Sequence, residues 1–199
     1  MRHPTLHSPE SRSPSSIAFA FLITVATLSL GYVAFGFWTM MIFSSGFLGG
    51  FLLWLAFPSE TPYSKLKFPY WSALLLFLAH RVEEKTAGFF KFLSEITGIP
   101  TPEITSWSVI SLVTISVGAW LSIPWLLKQR SELGYYFAWT FFTAMGLTEL
   151  AHWVVFPFFV EGSFRYIPGM GSVVLLAPVG WWGLWRLMNG RNFRRQIFT

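Results

Sequence analysis

Three observations predict an all-α fold, a polytopic integral membrane bundle of about six transmembrane helices. The 199-residue chain is 53% hydrophobic and only 12% charged, where a soluble domain carries roughly 25% charged residues. Its mean hydropathy is +0.52. Its apolar residues are gathered into runs near the ~20 residues that one helical crossing needs, bounded by Pro, Gly or charged side chains. The net charge of +5 is dispersed along the chain, which fits membrane orientation and leaves no nucleic-acid surface. The absence of Cys excludes disulfides, thiolate nucleophiles and Cys-ligated metal centres.

The elements follow in order. Residues 1–16, rich in Pro and Ser, read as a mobile cytoplasmic tail. From Ser13 to Ser59 there is no charged side chain, too long a stretch for one crossing. Two spans are expected there, residues 17–35 and 37–57, with a tight reversal between them; the Gly and Ser cluster at residues 44–50 is a second candidate for the turn. No small-residue cleavage site follows the first apolar run, so it is kept as a true span. A third span is expected from Pro69 to about Phe90, a fourth over 106–127, a fifth over 134–156 and a sixth over 168–187. A single transmembrane domain, residues 17–190, then ends in a basic tail, 191–199, that lies against anionic headgroups. Trp38, Trp71, Trp107, Tyr135, Trp181 and Trp182, near span ends, suit interfacial anchoring.

With six spans, one side receives Arg2, Arg12, Lys65, Lys67, Lys128, Arg130, Arg186, Arg191, Arg194 and Arg195, and the other only Lys91 and Arg165. Basic residues accumulate on the cytoplasmic side, so both termini are expected there.

Ionisable groups inside a span cost roughly 2.5–3.5 kcal/mol each on insertion scales and default to function. Here they fall in two places, His80-Arg81-Val82-Glu83-Glu84-Lys85 in the third span and Glu149-Leu150-Ala151-His152 in the fifth. At about 100° per residue His80, Glu83 and Glu84 share an arc of roughly 100°, and Glu149 and His152, three apart, share a face. All five lie about 17–27 Å along their spans, in the outer half of a ~30 Å hydrocarbon layer. Two imidazoles and up to three carboxylates suit a divalent metal, Zn, Fe or Mn, with one carboxylate left as a base. The expected ligands are His80, Glu83, Glu84 and His152, with Glu149 as ligand or base. The same groups without metal could run acid–base chemistry, or merely neutralise one another within the bundle.

The segment Leu78-Ala79-His80-Arg81-Val82-Glu83-Glu84 resembles the motif of the HXXEE domain family, small multi-span proteins found mainly in bacteria. His152, Arg165-Tyr166-Ile167-Pro168-Gly169 and Ala177-Pro178-Val179-Gly180 are similar to later segments of that family, so the resemblance covers about residues 70–188. It implies a multi-span helical fold in a bacterial inner membrane and a polar intramembrane site of His80, Glu83, Glu84 and His152; it brings no settled reaction. Members carry an Asn shortly before the second histidine where this chain has Thr148 and Glu149, which implies a more acidic site. The Glu-Glu-x-x-x-Arg pattern of intramembrane CaaX-type proteases fails, because Gly88 stands where the Arg would be. Sterol isomerases of the emopamil-binding type are similar in chemistry alone.

The expected function is a membrane-embedded, metal-dependent enzyme acting on a lipophilic, lipid- or isoprenoid-like small molecule among the membrane lipids. Glu83, Glu84 and Glu149 are its candidate catalytic carboxylates, and Tyr166, placed by the Pro168-Gly169 turn, caps the pocket or hydrogen-bonds substrate. The alternatives are a metal-free isomerase or cyclase, and a non-enzymatic lipid-binding protein or proton-coupled carrier.

Overall fold

The computed structural model describes residues 12–57, 60–101, 103–160 and 165–191. Residues 1–11 of the expected N-terminal tail and 192–199 of the basic C-terminal tail lie outside the described residues. The described chain is helical throughout, without a strand.

The helix α1, Pro14–Ala56, is 43 residues long and would reach about 65 Å if straight. Instead the Arg12 guanidinium donates at 3.1 Å to the carbonyls of both Leu55 and Phe57. The two ends of α1 therefore lie together, and the chain reverses at Gly36, its one non-helical residue (φ 75°, ψ −178°). A Cβ at Gly36 would run into the side chain of Ile99, so both backbone and space require glycine there. The two arms, residues 14–35 and 37–56, lie antiparallel, with Phe21 of the first meeting Phe51 of the second. The turn falls where the sequence places it, between Phe35 and Phe37, and not at the Ser44–Gly50 cluster, which stays helical.

The remaining elements are α2 (Tyr63–Thr86), α3 (Phe89–Thr97), α4 (Trp107–Lys128), α5 (Glu132–Thr143), a π-turn (Ala144–Thr148), α6 (Ala151–Val154), a 3-10 turn (Phe156–Phe159), α7 (Met170–Met188) and a closing 3-10 turn, Asn189–Arg191. Contacts between their ends sort the bundle into two poles. At one, Ser13 N–H donates to the Glu132 carboxylate at 3.1 Å, Thr61 Oγ1 to Arg186 O at 2.9 Å and Tyr135 Oη to Thr61 O at 3.2 Å. At the other, Ile99 packs on Gly36, and Phe35 stacks on Phe90. The two arms of α1, then α2, α4, the α5–α6 segment and α7 thus pass alternately between the same two poles. Arg12, Lys65, Lys67, Lys128, Arg130 and Arg186 belong to the first pole, Lys91 and Arg165 to the second. Among the described residues, three helical stretches are long and apolar enough to cross a membrane: α1, α4 and residues 132–159.

Local chemistry explains where the elements depart from expectation. The first helix starts at Pro14, with the Ser13 hydroxyl capping Ser16 N–H, so residues 14–16 belong to the bundle and not to a tail. Helix α2 starts at Tyr63, ahead of Pro69, because Leu66 and Tyr70 on either side of that proline are wholly buried; this packing outweighs the hydrogen bond Pro69 cannot make. The helix expected as the third span ends at Thr86. Gly88, in the left-handed region at φ 76°, turns the chain into the separate short helix α3, whose Phe89, Phe92 and Leu93 are buried.

Helix α5 is the central post. Residues 134–143 are all buried, including Tyr135, expected at an interface, as befits a helix apolar on every side. Its neighbours approach through small residues: a Cβ at Gly50 would lie 2.5 Å from Thr140 Cα, and one at Gly180 only 2.5 Å from Gly146 N. Close backbone approach of this kind drives helix association where the surroundings are already apolar.

Candidate metal centre

The stretch expected as the fifth span is not one regular helix. After Thr143 it widens into the π-turn, closed by Glu149 N–H on Ala144 O at 3.1 Å. Gly146 sits there against the α7 backbone, and Trp181 Nε1 donates to its carbonyl at 2.6 Å. The extra residue in the turn resets the helical phase, so that Glu149 and His152 both face α2. Turns of this kind recur at functional sites. On α2, His80 and Glu84 are one turn apart and face back.

The four side chains are buried and converge. His80 Nε2 lies 3.4 Å from Glu84 Oε1 and 3.0 Å from Glu149 Oε2; His152 Nε2 lies 3.3 Å and 3.7 Å from the same two oxygens. Nitrogen and oxygen thus alternate around a common centre, and one donor atom from each residue lies within 4.8 Å of all the others. A tetrahedral ion with bonds of 2.0–2.1 Å to N and O has ligand–ligand edges of about 3.3 Å. The four N···O separations straddle that edge, and the group as a whole extends to 4.8 Å, so the donors draw in to hold a tetrahedral ion.

Ser172 Oγ lies 3.3 Å from Gly169 O and 2.8 Å from His80 Nδ1. This contact orients the ring and turns His80 Nε2 toward two carboxylate oxygens. Nε2 has no hydrogen-bond partner among the described residues, and neither has His152 Nδ1. Buried imidazole nitrogens facing buried carboxylates make an arrangement that a proton or a metal ion completes. The Arg81 guanidinium, partly exposed, pairs with the far oxygen of Glu84 and so balances one carboxylate of the two. The four residues could hold a metal ion.

The site is closed by aromatic rings and by one glycine. His152 packs between Phe89 and Phe156, ring centroids 4.9 and 5.1 Å away, and edge-on to His80 at 5.0 Å. Gly169 (φ 98°) lies directly on both imidazoles; a Cβ there would be 2.7 Å from His152 Cε1 and 2.8 Å from His80 Cε1.

Glu83, expected among the ligands, is not brought into the group. Its carboxylate turns to the N-terminus of α7, where it accepts from Gly171 N–H at 3.0 Å and Ser172 N–H at 2.8 Å, and Tyr166 Oη–H also donates to it. Those amides are first-turn donors without helical partners, and the helix dipole favours a negative charge there. Tyr166 is accordingly held against Glu83 at the rim, its ring exposed. The hydrogen bond to that carboxylate pushes its phenol pKa up. The sequence reading missed Ser172, Phe89 and the pairing of Arg81 with Glu84. A serine three residues after the Pro-Gly turn is the only trace the first of these leaves in the sequence.

No protein-family model matches the chain, and no curated protein or solved structure matches it.

Proposed function

We propose that the protein is a membrane-embedded, metal-dependent enzyme acting on a lipophilic substrate, with a divalent ion, Zn, Fe or Mn, held by His80, His152 and Glu84, and with Glu149 as fourth ligand or base. The observation that carries this is the alternation of two imidazole nitrogens and two carboxylate oxygens at 3.0–3.7 Å around one buried point. An ion bound there supplies Lewis acidity toward a substrate or water oxygen. Catalytic sites keep one position open, and Glu149 is the group free to yield it, since Glu84 is anchored by Arg81. Ser172 orients the His80 ring, Arg81 pairs with Glu84, and the Phe89 and Phe156 rings exclude water.

The wider reading is a multi-pass protein of a bacterial inner membrane with both termini cytoplasmic, supported by the gathering of basic side chains at one pole, and a member of the HXXEE group, supported by the residues of its motif. Because the chain has no Cys, single cysteines placed at either pole would report sidedness directly. The same N···O distances also suit imidazolium–carboxylate pairs, which supports a second reading as a metal-free acid–base isomerase or cyclase.

Metal analysis of the purified protein decides between them. The expected result is one ion per chain, lost in both His80→Ala and His152→Ala at unchanged helical content. Wild type without stoichiometric metal after purification in the presence of Zn, Fe and Mn overturns the metal reading and leaves the acid–base one.

A further inference from the structure

A cavity of about 510 Å³ opens beside the metal centre, between the second arm of α1, α3 and residues 147–159. That volume lies in the range of small-molecule sites, ~300–1,000 Å³. No charged side chain lines it, and Trp38, Met41, Leu147, Val154 and Phe159 at its rim are exposed. In a chain with these apolar surfaces the mouth faces lipid, so an occupant arrives laterally and carries no charge.

Its polar groups select further. Ser45 and Thr148 both line the cavity, and their hydroxyls are 2.8 Å apart. Ser45 Oγ donates to Ile42 O at 2.7 Å, so its only hydrogen is committed and the shared bond runs from Thr148 Oγ1–H to Ser45 Oγ. Thr148 Oγ1 is left with lone pairs and no hydrogen to offer. The pair can accept a hydrogen bond from a guest and cannot give one. Thr39, which also lines the cavity, has a buried hydroxyl with no partner among the described residues and can donate. An ester, ketone or ether can use that donor and leaves the acceptor pair unmet; a hydroxyl, which both gives and accepts, can answer either. Thr148 and Ala151, which line the cavity, alternate along the chain with Glu149 and His152, which face the metal centre.

We infer that this cavity binds an uncharged, single-chain lipophilic alcohol, its hydroxyl donating to Thr148 Oγ1 and its chain lying among the apolar residues toward the bilayer. The inference extends the lipophilic-substrate reading above by naming its class, and its test uses chelator-stripped protein, so that loss of the metal reading and loss of this one are told apart.

The full-length protein in phospholipid nanodiscs is photolabelled with a diazirine-bearing hexadecanol, the labelled residues are mapped by mass spectrometry, and competition is measured with hexadecanol, hexadecyl methyl ether, palmitate and a two-chain phosphatidylethanolamine. Saturable labelling within residues 38–45 and 147–159 is expected. Hexadecanol should compete about 2- to 10-fold better than its methyl ether, the worth of one hydrogen bond, and better than palmitate or the phospholipid. Thr148→Val should erase the difference between alcohol and ether, and Val154→Trp, at the exposed mouth, should reduce labelling at least several-fold without touching the core. Labelling that does not saturate, that is indifferent to Val154→Trp, or that ether, palmitate or phospholipid suppresses as well as the alcohol does, overturns the inference.

Discussion

Glu83 and Glu84 are neighbours on the same turn of α2 and stand in opposite electrostatic situations. Glu83 looks toward the start of α7 and meets donors alone: two backbone N–H groups and the Tyr166 hydroxyl. Glu84 looks toward the α5–α6 segment and meets Arg81 with one oxygen, but with the other it meets two imidazole nitrogens and the field of a second carboxylate. The first carboxylate is satisfied by the fold and fastens two helices. The second belongs to a group in which two carboxylates are shared among two imidazoles and one guanidinium. An acid within an apolar helix is therefore not a functional residue by type; its surroundings on the facing helix decide, and here the decision changes within one residue, between half-buried Glu83 and buried Glu84.

The largest effect expected from breaking this arrangement comes from the residue that touches both sides of it. Gly169→Ala would place a methyl group against both imidazoles at a φ of 98°. Backbone strain of about 1–3 kcal/mol adds to overpacking of about 1–3 kcal/mol. Denaturation in detergent should show a loss of several kcal/mol together with loss of bound metal. A stability within 1 kcal/mol of wild type would mean that Gly169 does not close the site as described.

The two glutamates give the sharper test. Glu84→Gln removes a charged ligand and should weaken zinc binding by about 100-fold, at the upper edge of what even supporting residues of such sites contribute; it also gives up the pairing with Arg81 and the imidazoles, so stability falls with it. Glu83→Gln should separate the two effects. It keeps its shape but loses charge-assisted bonds to the α7 amides, so stability should fall by about 1–3 kcal/mol while metal stoichiometry stays at the wild-type value. Competition with a chromophoric chelator measures the first and denaturant unfolding the second; if both variants change both quantities alike, the distinction between the two faces is wrong.

Much of this was legible in the residues, and the remainder was not for identifiable reasons. The reversal at Gly36 could be read because an uncharged stretch of that length cannot cross once. Convergence of the third and fifth spans was legible because ionisable groups within apolar runs are rare and have few places to go. The arc holding His80, Glu83 and Glu84 was right for an isolated helix, but it says nothing of what stands opposite, and the N-terminus of α7 captures Glu83 through backbone N–H groups that leave no mark in a sequence. The π-turn was equally hidden: it arises where Gly146 and Gly180 bring two backbones together, a property of the pair and not of either segment. Pro69 misled for the opposite reason, since a local helix-ending signal was overridden by burial of Leu66 and Tyr70 around it.

The smallest effect belongs to Tyr166, expected to cap the pocket or bind substrate. Its hydroxyl donates to Glu83 and lies 3.1 Å from Gly171 N, which already engages the same carboxylate. Tyr166→Phe deletes one donor from an acceptor that keeps two others, and its ring is more than half exposed, so the loss should be near 1 kcal/mol with zinc affinity unchanged. Neither the phenol nor Glu83 lines the cavity, so the variant should leave any alcohol labelling there as it was. Were Tyr166→Phe instead to lower metal affinity as Glu84→Gln does, the hydroxyl would have to act on the ion rather than on the junction between α2 and α7. The two faces of the α2 turn would then form one site.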